Sequence, residues 1–324
     1  MRAVLQVLAR NLLLLATLVL LGFLLPRILP GNPLSLSPEE LSPANLQITE
    51  NAFNRFSQYY APELSLPQQL TRYLGQLLRG DWGFSFYFGL PVKMLISSKI
   101  GWTLGLSLTS LIAATAFALP LGSRLALSPR RRRSQLALLG LVAVQTVPTF
   151  LLAVLARLFL AYGTKWFPAT GAYPMGMTAN TPGFWAHVIR HGVLPTLVLM
   201  CSQLPPLAIL THNIVAETKR QPYVEAARYN GVSPCIVTSA YILRNSLPEI
   251  FGRLNIQFLY AIAGSLFVEM VFSYPGIGVL LKTAIAARDY PLVQGIFLTI
   301  CLYSIVVNVA FQLVQQRYDP RLSR

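Results

Sequence analysis

The chain has 324 residues, 54% of them hydrophobic and only 11% charged, where ordinary soluble domains carry about 25% charged residues. That deficit excludes a water-facing surface over most of the chain, so its length does not set a count of soluble domains. The formal charge of +15 fits either nucleic acid or the cytoplasmic face of a membrane, and with no aromatic-basic nucleic-acid motif present no nucleic-acid partner is expected.

A membrane helix needs about 20 mostly apolar residues, because the hydrocarbon core is about 30 Å thick and a helix rises about 1.5 Å per residue. Six stretches meet that length, predicting an all-α, polytopic membrane protein with six transmembrane helices. The first, Leu12–Leu29, belongs to an N-terminal segment of residues 1–30. It runs out into Leu-Pro-Arg-Ile-Leu-Pro-Gly without an A-x-A-like cleavage site, so it is expected to be a retained span rather than a signal peptide. Residues 31–100 form a predicted extracytoplasmic segment that opens with Pro-rich and Ser-rich stretches. Within it, Leu70–Arg79 has apolar residues at helical spacing and reads as a surface helix. The aromatic residues Trp82, Phe84, Phe86, Tyr87 and Phe88 follow, a composition suited to the membrane–water interface.

Residues 101–324 hold the other five predicted spans: Trp102–Gly122, Leu136–Tyr162, Gly192–Leu210, Ile256–Phe272 (with a start as early as Ile250 allowed) and Leu292–Leu313. Gln145, Pro148, Gln203, Pro205, Pro206 and His212 lie in or at the ends of the third and fourth spans. Prolines there free carbonyls and bend the helix. A polar group in lipid is costly unless it faces a cavity or another helix, so Gln145 and Gln203 either line a translocation path or hydrogen-bond between helices. Glu269, near the outer end of the fifth span, has the same two readings: a path residue, as intramembrane carboxylates often are, or a structural group near the interface. Ser273-Tyr274-Pro275-Gly276 reads as a turn folding back at the outer end of the fifth span. Cys201, Cys235 and Cys301 form no CxxC and read as buried free thiols, and His187, His191 and His212 lack ligand spacing on one face, so no metal site is expected.

Placing the N-terminus in the cytoplasm puts Arg2, Arg10, Arg124, Arg130 to Arg133, Lys219, Arg220, Arg228, Arg244, Arg253, Arg317, Arg321 and Arg324 inside. The outside basic residues then fall mostly in the long 31–100 segment, where translocation is largely indifferent to charge. The predicted topology is N-in/C-in, with Arg130–Arg133 as its strongest anchor.

The predicted inside loop of about residues 211–248 is the unusual segment. Pro222 suits the first turn of a helix, and Glu225-Ala226-Ala227-Arg228 are good helix formers. Asn230-Gly231 is a helix stop, and Ser233-Pro234 a restart with Ser as N-cap and Pro at the first position. The second helix is expected to reach about Asn245, with Pro248 ending it. Small Ala226 and Ala227 are expected to leave a shallow face that another protein can approach, edged by the charges of Glu225 and Arg228. Loops of this length in a compact bundle are uncommon unless functional, which favours docking over a passive connection.

The segment Tyr223-Val-Glu-Ala-Ala-Arg-Tyr-Asn-Gly231, with Leu247-Pro248 downstream, resembles the EAA signature of permease subunits of bacterial ATP-binding-cassette importers. The chain as a whole is similar to the dipeptide, oligopeptide and nickel type. The further motifs, in order, are Ile28-Leu-Pro-Gly-Asn-Pro33, Arg79-Gly-Asp-Trp-Gly-Phe-Ser85, Glu269-Met-Val-Phe-Ser-Tyr-Pro-Gly-Ile-Gly278, Arg288-Asp-Tyr-Pro-Leu-Val-Gln-Gly295 and Asp319-Pro-Arg321. Asn230 stands where the family often has Lys.

This resemblance implies a type I importer permease in the bacterial inner (cytoplasmic) membrane. Tyr223, Glu225, Ala226, Ala227, Arg228 and Gly231 would belong to the coupling helix seated on a separate ATP-binding subunit. A second homologous permease would complete the pore, and an extracytoplasmic solute-binding protein would deliver the cargo. The implied cargo is a di- or oligopeptide, with nickel or a metal chelate as the alternative. The chain has no GxxxxGK[ST] phosphate loop, so ATP is expected on the partner and no cofactor in this chain. A membrane-embedded hydrolase would need paired intramembrane carboxylates, HExxH or GxSxG, none of which is present. A stand-alone carrier would need ionisable groups at the span centres, which offer almost none.

Overall fold

A computed structural model describes residues 13, 15–17, 19–24, 64–128 and 130–318. The Pro- and Ser-rich stretches and the Ile28–Pro33 and Asp319–Arg321 motifs lie outside the described residues, while the first predicted span is described at residues 13, 15–17 and 19–24, where it is helical. The elements that follow are α1 (Leu66–Leu78), a two-residue antiparallel pair β1 (Phe84–Ser85) and β2 (Leu90–Pro91), α2 (Val92–Leu127), α3 (Arg131–Gln145) and α4 (Thr149–Ala156). The turns after α4, Arg157–Gly163, widen into a π-helix. Then come α5 (Phe184–Thr218), α6 (Pro222–Tyr229), α7 (Pro234–Phe272, with a π-helical stretch at Val237–Leu243), α8 (Ile277–Ala286) and α9 (Tyr290–Tyr318).

Helices α2, α5, α7 and the Tyr290–Phe311 part of α9 are each long and apolar enough to cross a membrane. They coincide with the second, fourth, fifth and sixth predicted spans, but run further at one or both ends. The third predicted span is not one straight helix. It is the pair α3 and α4, bent by 86°. Pro148 explains the break: it offers no N–H, its ring clashes with the preceding turn, and it drives Val147 out of the helical region. Pro248 was expected to end the second loop helix, yet α7 continues through it. Membrane helices tolerate internal prolines where local π adjustments and neighbouring groups re-satisfy the freed carbonyls, and the π turn of α7 lies just before this one. The thiols are free, but Cys201 and Cys235 are exposed on the isolated chain and Cys301 is half-buried, which corrects the expectation of burial.

The chain divides into two compact units. One comprises Met1–Gly101 with Leu280–Val306. Here α1 starts with a reciprocal cap, Ser65 N–H donating to Gln68 Oε1 at 3.1 Å, and its buried Tyr73 packs on Phe23 with ring centroids 5.8 Å apart. The β1–β2 hairpin is tied down by Asp289, which is 1% exposed. Ser85 Oγ donates to its Oδ2 at 2.5 Å and Tyr87 N–H at 3.2 Å. Burial pushes the Asp289 carboxyl above its ordinary range, while these donors pull it back down. Two motifs about 200 residues apart in the chain are thereby joined. Gly295 extends the joint, because a Cβ there would strike Val92 Cγ1 and lie 3.2 Å from Ile96 Cδ1.

The other unit comprises Trp102–Val279 with Val307–Arg324. Its centre is α5, whose Leu194, Leu199, Leu207, Ala208 and Val215 are at most 1% exposed. Helix α7 packs along α5 and α4. Gly122 of α2 lies against α5, where a Cβ would meet the Ala208 carbonyl oxygen and come within 2.7 Å of Thr211 Cβ. Small residues let membrane helices approach this closely, and the atoms in the way are α5 backbone and a Cβ fixed to it, none of which can rotate aside. Gly122→Val is therefore expected to destabilise the α2–α5 contact by about 2–3 kcal/mol. A lowered melting temperature of the detergent-solubilised protein checks it, and an unchanged one counts against the close packing.

Candidate functional site

The segment singled out by sequence folds as a helix–turn–helix. Pro222 stands at the first position of α6, and Val224 and Glu225 N–H both bond the Gln221 carbonyl. At the other end, Gly231 takes φ +73°, Gly231 N–H donates to the Arg228 carbonyl at 3.0 Å, and Val232 N–H donates to the Ala227 carbonyl at 3.1 Å. That pair of bonds is a Schellman motif, closed by packing of Val232 on the core that holds Ala227. Ser233 then occupies the N-cap and Pro234 the first position of α7.

Helix α6 has two faces. Val224 and Ala227 are buried against Val215, Val237 and Ile242. Tyr223, Glu225, Ala226, Arg228, Tyr229 and Gly231 are exposed, Tyr229 at 90%. Ala227 is thus corrected from a contact on the shallow outer face to an anchor of α6 on the chain's own core. The 3.6-residue period decides it, since Val224 and Ala227 are three apart and share a face while Ala226 does not.

Gln145 and Gln203 come together on one cavity of about 470 Å³, beside the α3–α4 bend and between it, α5 and α7. Thr149, Ser202, Gln257 and Tyr260 add polar groups, and Phe150, Pro206 and Phe267 add apolar wall. Gln203 is 5% exposed, and its Nε2 donates to Ser110 Oγ at 3.2 Å. It therefore bonds between helices and also borders the cavity. Gln257 and Tyr260 were not singled out in the sequence, because only after folding does their helix face turn toward the bend.

Glu269 lies apart from that cavity, fully buried at the end of α7. Its Oε2 accepts the Gly278 N–H at 2.6 Å, and Thr103 of α2 accepts the Ile277 N–H at 2.8 Å while bonding the same carboxylate. The first two N–H groups of α8 are thus capped by side chains from two other helices, with a carboxylate at the positive end of the helix dipole. Ser273 (φ +50°) makes the turn, and Tyr274 swings back onto Trp102, ring centroids 5.8 Å apart. Sequence reading also passed over Arg157, a charge inside the third predicted span. Its guanidinium donates to the Val271 carbonyl at 2.5 Å and to Tyr162 Oη at 3.0 Å. Among the described residues no group of three His, Cys, Asp or Glu is placed to hold a metal ion.

Residues 118–324, which contain α5, α6, α7 and the cavity walls, match the family described as the binding-protein-dependent transport system inner membrane component. The chain belongs to that family. This inner membrane component is 31% identical over 316 residues to a candidate peptide transport system permease protein of Brucella abortus, covering 94% of this chain and 93% of the relative. It is 30% identical over 314 residues to the glutathione transport system permease protein of Salmonella paratyphi A, covering 96% and 94%. A chain of the MetNI methionine ABC transporter, solved in an inward-facing conformation, superposes with a TM-score of 0.58 at 14% identity, covering 70% of this chain and 97% of that one. The fold is that of a type I importer permease. The protein is a permease subunit of an ATP-binding-cassette importer, a multi-pass transport component of the inner membrane and not an enzyme.

Proposed function

We propose that this permease forms half of the translocation pathway of a peptide importer and is driven through the exposed face of α6. The observation that carries the reading is the mounting of α6: Val224 and Ala227 lock it to the core beneath α5 and α7, while Tyr223, Glu225, Ala226, Arg228 and Tyr229 stand free. A short helix held rigidly at the junction of two long spans passes a push from outside to both of them. The partner is an ATP-binding subunit on the cytoplasmic side. A second homologous permease completes the pore, and a solute-binding protein delivers cargo on the opposite side.

Two relatives named for peptide and glutathione transport support a peptide cargo. Nickel or a metal chelate is the rival cargo, and no feature of the described residues favours it.

A photo-crosslinking residue at Tyr229 tests the drive. In membranes carrying the whole complex it is expected to capture the ATP-binding subunit, with a yield that changes when ATP is bound. Capture of that subunit from neither Tyr229 nor Arg228 would refute the reading.

A further inference from the structure

We propose that the cavity at the α3–α4 bend is a subsite for the cargo peptide that reads backbone amides and is indifferent to side-chain charge; this rests on the importer reading above. At about 470 Å³ the cavity falls within the range of roughly 300–1,000 Å³ typical of small-ligand pockets. Its polar lining is Gln145, Thr149, Ser202, Gln203, Gln257 and Tyr260, and no lining residue carries a formal charge.

Carboxamides offer two donors and a carbonyl acceptor each, the same complement a peptide bond presents. Three of them around one cavity match a chain of amide groups in either direction. A cation or a carboxylate would find no opposite charge there, and a site with fixed charge would sort peptides by their side chains.

Gln203 adds a second, independent observation. Gln203 borders the cavity, its Nε2 is engaged by Ser110, and its Oε1 is buried without a partner. A buried acceptor left unmade is costly, so its persistence beside a cavity calls for a donor that arrives from outside the chain. The N–H or terminal ammonium of a peptide in the cavity supplies one after a small rotation of the Gln203 amide. The site is weak by construction, since neutral hydrogen bonds exchanged with water hold cargo loosely. That is what a passage needs, where binding must admit a cargo and then release it.

The test uses the whole complex in proteoliposomes and three dipeptides of net charge +1, 0 and −1. Dividing each variant's rate by the wild-type rate for the same peptide cancels the preference of the binding protein. Gln257→Leu is expected to slow all three alike. Gln257→Glu is expected to slow the acidic peptide about fivefold more than the basic one, the scale of one charge pair in a half-wet site. Gln145→Glu, at an exposed position of α3, repeats the charge test without touching buried packing. Equal effects of both Glu variants on all three peptides, or unchanged uptake with Gln257→Leu, would overturn the subsite and leave the importer standing. Wild-type complex that moves none of the three with ATP overturns the peptide-cargo reading, and the subsite with it.

Discussion

Gly231→Val is expected to abolish ATP-dependent uptake while the chain still inserts in the membrane. Gly231 sits at φ +73°, and nothing lies within 4 Å of where a Cβ would be. The effect is therefore conformational rather than a clash. A left-handed residue other than glycine costs about 1–2 kcal/mol, and a β-branched one more. Paying it through the turn would break the bonds from Gly231 to Arg228 and from Val232 to Ala227, and α6 would lose its fixed direction. Gly231→Asn is the control, since Asn enters the left-handed region readily and should retain most uptake. Two alanine variants then separate docking from mounting. Ala226→Arg puts bulk on the exposed face and should block uptake with the fold intact, whereas Ala227→Arg forces a charge into the core beside Val224 and Ile242 and should also lower thermal stability. Uptake assays beside membrane fractionation and melting curves read all four. Full uptake by Gly231→Val, or equal stability of the two arginine variants, would show that the mount is not rigid in the way described.

How much of this was legible beforehand divides by range. The ends of α6 were readable because they depend on residues within one turn: Pro222 and Gly231 act through their own φ angles, and Ser233-Pro234 through its neighbours. The spans were readable from apolar length, though not their ends, because polar and basic residues continue the helices beyond the apolar runs. The 86° bend was half readable. Pro148 announced a disturbance, but prolines 120, 195, 205, 206 and 248 lie within helices that continue, and only packing decides between the two outcomes. The inward face of Ala227 was readable from its three-residue spacing to the apolar Val224, but the Ser85–Asp289 tie and the cavity were not. Both need partners more than ten residues away, and a buried Asp at position 289 has the same local sequence as an exposed one. Glu269 was left with two readings for the same reason, since its partners Thr103 and Gly278 stand on other helices.

Glu269→Ala is expected to lower the stability of the bundle by about 2–4 kcal/mol, from an orphaned Gly278 N–H together with the hole left by a fully buried side chain. The surrounding glycines explain why the side chain sits where it does. A Cβ on Gly276 would land on the Glu269 carboxylate, and one on Gly278 would come within 2.9 Å of Oε2 and 2.8 Å of Leu266 Cα. Both glycines therefore make room for the carboxylate, and Gly278 also for the backbone of α7. Glu269→Gln keeps one carbonyl for the Gly278 N–H and should lose only about 1 kcal/mol. Gly278→Val should be the worst of the three, because the Leu266 backbone it would strike cannot rotate away as a side chain can. The order Gly278→Val, Glu269→Ala, Glu269→Gln, from least to most stable, is the signature of a cap that holds the start of α8. Melting of the solubilised complex measures it. A Glu269→Ala complex as stable as wild type but unable to transport would instead place the carboxylate on the path of the cargo, and the cap would be incidental.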